Sequence, residues 1–184
     1  KNIARKMTLE LIQSISQSVL LNLEQKQNLA FESLASLVNI YKNSGRCVDV
    51  ARIVMTEFLR MVNQNEELAI KEKRDLAFQL VNKFSEFCCG SRYVNSGDAT
   101  LVREVIPYLV CKNKLLAGDI IKGFSSVYIT SHEEKKCGIF IETISMIIRQ
   151  NLVSDAFLVD NSIAFDLTKA AFLMFDKLIA LGIK

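Results

Sequence analysis

Apolar residues return along most of this chain at intervals of three and four, with polar residues between them. That is the period of an amphipathic helix, not of a strand. Leu11, Ile12, Ile15 and Val19 make a first stripe. Asn22 can cap a second helix that stops at Asn43-Ser44-Gly45, with Ala30, Leu34, Leu37 and Tyr41 on its inner face. A third helix is expected over 47–63, with Val50, Val54, Phe58 and Met61 inward and Asn63-Gln64-Asn65 as its break. A fourth, over 71–89, lines up Leu76, Leu80, Phe84 and Phe87. Asn95-Ser96-Gly97 forms a turn, and Asp98 stands where an N-cap belongs. The helix that follows reaches Cys111, interrupted or kinked at Pro107. Further helices are expected over 114–130, over 132–151 with Ser131 and Glu134 as a capping box, and over 162–181. The β-branched stretch SSVYITS has no paired hairpin turn beside it. The fold class is therefore all-α, with seven or eight helices and short polar breaks.

One pattern is written twice. Leu29-Ala30-Phe31 matches Leu76-Ala77-Phe78, 47 residues later. The turn Tyr41-Lys42-Asn43-Ser44-Gly45 is echoed by Tyr93-Val94-Asn95-Ser96-Gly97, 52 residues later. Each turn leads into a helix with an inward Val and an Arg: Val50-Ala51-Arg52, then Val102-Arg103. An insertion of about five residues accounts for the change in offset. Helix pairs recurring every ~40–47 residues are a solenoid signature, because one pair cannot bury its apolar face alone. Over residues 23–111 the chain resembles HEAT and armadillo-type repeat proteins. The resemblance implies an α-solenoid of antiparallel helix pairs, with Leu29 and Leu76 buried at equivalent positions, together with Phe31 or Phe78. The lone Pro and the few Asp residues at turns depart from a HEAT consensus. An irregular helical bundle is the alternative architecture.

Composition narrows the class. At 184 residues, half of them apolar, the chain can bury a core without staples. It is expected to form a single all-helical domain over 1–184. It opens KNIARKM without an initiator Met and closes inside a helical pattern, so it reads as a piece of a longer protein. The net charge is +3; residues 1–92 hold 13 basic and 10 acidic residues, and residues 93–184 hold 10 of each. That tilt is too mild for a dedicated nucleic-acid binder. Cys47, Cys88, Cys89, Cys111 and Cys137 are odd in number and contain no CxxC, so they read as small buried apolar residues in a reducing compartment. An intracellular location, cytoplasmic or nuclear, is the expectation. No apolar run reaches the roughly 18 residues of a membrane span, and no membrane partner is expected.

Candidate chemistry is sparse. His132 is the only histidine and lies beside Ser131, but adjacency is not a triad, and an exposed residue in a first helical turn explains it. The pairs Glu66-Glu67 and Glu133-Glu134 fall at expected helix starts, where negative charge offsets the macrodipole. Gly118, Gly123 and Gly138 form no phosphate loop and suit close helix packing instead. Cys88-Cys89 has no neighbour that would lower a thiol pKa. No catalytic, cofactor-binding or metal-binding residue is named, no cofactor is expected, and the chain is not expected to be an enzyme. Two surfaces remain. In a stacked solenoid Arg46, Arg52, Arg92 and Arg103 would fall in a row able to engage an acidic peptide or phosphate. On the last helix Phe165, Phe172 and Phe175, with Ile179, lie off the stripe formed by Ile163, Leu167, Ala170, Met174, Leu178 and Leu181. A helix apolar on two faces expects neighbours on both. The expected function is a protein-protein interaction scaffold, a complex subunit presenting a helical-repeat surface to a partner peptide or helix or to further repeats of its own chain. The alternative is RNA or DNA backbone binding through the Arg row.

Overall fold

The computed structural model describes residues 2–41, 47–90, 96–129 and 134–152, and then residues 165, 168, 169, 172, 173, 176, 179, 180 and 182. Among the described residues the chain is all-helical apart from short breaks such as 18–22 and 65–69, without a strand. The helices are α1 (Asn2–Gln17), α2 (Leu23–Tyr41), α3 (Cys47–Gln64), α4 (Ile70–Gly90), α5 (Ser96–Lys112), α6 (Ala117–Ile129) and α7 (Glu134–Leu152), with a 3₁₀ turn at Lys114–Leu116 before α6. Residues 165, 168, 169, 172, 173, 176, 179 and 180 are helical as well. The chain divides into two compact units, Lys1–Leu76 and Ala77–Lys184, and the division falls within α4.

In the first unit α3 packs against both α1 and α2. Its sequence explains this. Val50, Val54, Phe58 and Val62 form one buried row and Ala51, Met55 and Leu59 a second beside it, an apolar face wide enough for two neighbours. Met61 falls off both rows and is half-buried. The α1 stripe is narrower than the spacing predicts. Thr8 and Ile12 are buried, but Leu11 is exposed, and Val19 lies beyond the last helical residue, Gln17, and is 95% exposed. The helix stops before the periodicity does. On α2 the buried row is Gln27, Ala30 and Leu34. The expected burial of Leu29 does not hold: it is 37% exposed, and Leu76, Phe31 and Phe78 are half-buried. The Leu-Ala-Phe echo instead buries its middle residue at both places, Ala30 and Ala77.

In the second unit α5 packs against α6 and α7, and α6 against α7. Phe124 lies at its centre, with its ring 4.9 Å from Tyr128 and stacked 5.2 Å from Phe140. The α5 helix takes in Ser96, Gly97 and Asp98, so the expected N-cap lies inside its first turn, while Asn95 of the expected turn lies outside the described residues. It runs through Pro107 without a break. The ring carries no N–H for the carbonyl of Arg103, one turn back. The expected helix over 114–130 starts instead as the 3₁₀ turn, because Asn113 Nδ2 donates to the Leu109 carbonyl and ends α5 there. Gly123 brings α6 against α4: a Cβ at that position would lie 2.6 Å from the Phe78 carbonyl oxygen.

Two corners between consecutive helices share part of their bonding. Between α1 and α2, Gln25 N–H donates to Asn22 Oδ1 at 2.9 Å and Asn22 N–H to Gln25 Oε1 at 3.0 Å, a reciprocal capping box. Between α3 and α4, Ala69 N–H donates to Glu72 Oε2 at 2.8 Å; Ala69 has no side-chain acceptor, so only half the box is present. One residue on, a lysine reaches back to the end of the preceding helix. Lys26 Nζ donates to the Ser16 carbonyl and Lys73 Nζ to the Asn63 carbonyl, both at 2.8 Å. A cation there satisfies an orphan carbonyl and meets the negative end of the helix dipole. Every one of these residues sits 47 positions from its counterpart.

Candidate interaction surface

Two of the four arginines of the expected row are described. Arg46 and Arg92 lie outside the described residues. Arg52 and Arg103 sit on α3 and α5, each half-buried. The burial along these two helices coincides when they are set 51 residues apart: Val50 with Leu101, Ala51 with Val102, Val54 with Val105, Met55 with Ile106, Phe58 with Leu109, Leu59 with Val110, all buried. At that register Arg52 and Arg103 correspond. Arg103 already has a carboxylate: its Nε lies 2.7 Å from Glu142 Oε2 on α7, off the N–H axis, so the pair is ionic and not a directed hydrogen bond. Both side chains are partly exposed, and such a pair contributes about 0–1 kcal/mol. It nevertheless occupies the charge that an incoming phosphate would need.

The phenylalanine set is clearer. Phe165 is 67% exposed and Phe172 65% exposed, while Phe175 lies outside the described residues. Ile179 and Leu173 are exposed beside them. Leu173 was not legible as a surface residue, because it belongs to neither apolar stripe of the sequence. Residues 165, 172 and 179 are separated by two heptads, which keeps them on one line of a helix.

The remaining candidate chemistry resolves quietly. His132, Ser131 and Glu133 lie outside the described residues. Glu66 and Glu67 are exposed in the turn between α3 and α4, where Glu67 N–H donates to Asn65 Oδ1; the first-turn acid of α4 is Glu72. All five thiols are free; Cys47, Cys88 and Cys137 are buried as expected, Cys89 is half-buried, and Cys111, at the solvent side of α5, is exposed. Gly123 permits a close helix approach, whereas nothing lies within 4 Å of a Cβ at Gly138, so that glycine serves no packing need. Among the described residues no group of three or more His, Cys, Asp or Glu could hold a metal ion, and no helix is long and apolar enough to cross a membrane. No family model, no curated protein and no solved structure matches the chain.

Proposed function

We propose that this chain is a non-enzymatic protein-protein interaction scaffold, a segment of α-solenoid whose HEAT-like helix pairs present a surface to a partner peptide or helix. The observation that carries the proposal is the repeated corner. At both corners, 47 residues apart, the residue before the helix donates its N–H to a side chain three residues on, Asn22 to Gln25 and Ala69 to Glu72, and a lysine reaches back to the preceding helix, Lys26 to Ser16 and Lys73 to Asn63. A recurring corner at that period supports helix pairs stacked as units. The packing of α1 against α3 and of α5 against α7, each a next-but-one neighbour, supports the same arrangement. Stacked pairs make long concave and convex faces, which suit extended or helical ligands better than small molecules. Five free thiols fit a chain that works in a reducing compartment, cytoplasm or nucleus.

The test is a displayed-peptide selection on the immobilised chain, followed by fluorescence anisotropy with the selected peptides resynthesised. Micromolar binding that changes little between roughly 50 and 200 mM salt is the expected result. A chain that selects no peptide but binds single- or double-stranded oligonucleotides, with affinity falling by orders of magnitude over that salt range, would refute the proposal in favour of backbone binding.

A further inference from the structure

Among the described residues of the C-terminal segment, Phe165, Thr168, Lys169, Phe172, Leu173, Asp176, Ile179 and Ala180 are helical and exposed. At 100° per residue they fall within about 140° of arc, one face. Its apolar line, Phe165, Phe172 and Ile179, spans about 21 Å at 1.5 Å per residue. A surface of this kind, with two phenylalanines each about two-thirds exposed, is built to be covered.

Its charges say by what. Lys169 and Asp176 stand one heptad apart, three residues before and four after Phe172. We infer that this face pairs with the same face of a second copy of the chain, antiparallel, about a two-fold axis passing close to Phe172. In that register Lys169 of each copy meets Asp176 of the other, Phe165 meets Ile179, and the two Phe172 rings meet at the centre. A two-fold interface must be self-complementary in this sense, each position facing its counterpart reciprocally. The parallel alternative sets Lys169 beside Lys169 and Asp176 beside Asp176, and flanking charges of this kind are what set helix orientation. The pairing needs no peptide ligand, so it stands or falls apart from the scaffold proposal.

The experiment is sedimentation equilibrium on the full chain over roughly 1–200 µM, a range bracketing an ordinary helix-pair affinity. The wild type is expected to dimerise. F172E should abolish the dimer. K169E and D176K should each weaken it by about tenfold, since each turns two attractive contacts into repulsive ones, and K169E/D176K should restore it. All three substitutions are on an exposed helix face, and circular dichroism should show wild-type helicity for all four variants. A wild-type chain that stays monomeric at ~200 µM overturns the inference. So does a dimer indifferent to K169E, or one that the double exchange fails to restore, because both outcomes leave Lys169 and Asp176 apart.

Discussion

Gly123→Ala sets two effects of known size against each other. Alanine in a helix interior is favoured over glycine by about 1 kcal/mol. Against that, the added Cβ would lie 2.6 Å from the Phe78 carbonyl oxygen, 3.2 Å from the Asn82 nitrogen and 3.2 Å from Val81 Cβ. The nearest of these is backbone and has no rotamer to change. Relief requires α6 and α4 to separate by several tenths of an ångström. That separation would strain the local chain in which Asn82 Nδ2 donates to Ser126 Oγ and Ser126 Oγ donates to the Gly123 carbonyl, both at 2.9 Å. Overpacking costs about 1–3 kcal/mol, and a backbone contact at 2.6 Å puts this case in the upper part of that range, so clash outweighs propensity by about 1–2 kcal/mol. At this chain length each kcal/mol moves the melting temperature by about 2–4 °C. Gly138→Ala is the internal control. It makes the same chemical change in the interior of α7, where a Cβ would meet nothing within 4 Å, and it should stabilise by about 0.5–1 kcal/mol. Thermal and urea melts followed by circular dichroism should therefore move in opposite directions. A Gly123→Ala chain as stable as the wild type, or more so, would refute the close approach of α6 to α4.

The corners make a matched pair: Gln25→Ala and Glu72→Ala should each cost about 0.5–1 kcal/mol in urea melts, and a value near zero at either would mean that its cap is not formed. Phe84→Ala, at a fully buried ring, should cost about 3–5 kcal/mol by the same assay, whereas Phe165→Ala should change stability by less than about 0.5 kcal/mol. Thiol titration of the native chain with a coloured disulfide should find Cys111 fast and Cys47, Cys88 and Cys137 slow until denaturant is added; fast reaction at all five would contradict their burial. Glu142→Gln should shift stability by less than about 1 kcal/mol, with the difference fading at high salt.

Periodicity identified the helices because period is what packing selects. Val50, Val54 and Phe58 on α3 and Leu80 and Phe84 on α4 are buried as the spacing predicts, whereas Met61, Leu76 and Phe87 are half-buried, and Asn22 caps α2 as its type suggests. Periodicity could not say where a helix ends when the apolar pattern outlasts it, which is why Val19 was drawn into α1. The Leu-Ala-Phe echo also misdirected attention to its large residues. The residue buried at both sites is the small one, Ala30 and Ala77, while the large ones on either side stay partly exposed. The corner lysines, Lys26 and Lys73, carried a true signal at the right spacing. It was missed because lysines are ordinarily solvated, and their role depends on where the preceding helix stops. Arg103 illustrates the opposite limit: nothing in the order of the chain places it beside Glu142, 39 residues away, and only the packing of α5 on α7 does.

The lysine corners have a consequence for the order in which this chain acquires structure. Each joins residues only ten apart, Ser16 to Lys26 and Asn63 to Lys73. A loop of that length closes in about 10–100 ns, long before distant helices can find each other. Its bonds fix both the end of one helix and the start of the next. The two corners can therefore form independently and early, leaving the packing of the helices as the later, slower step.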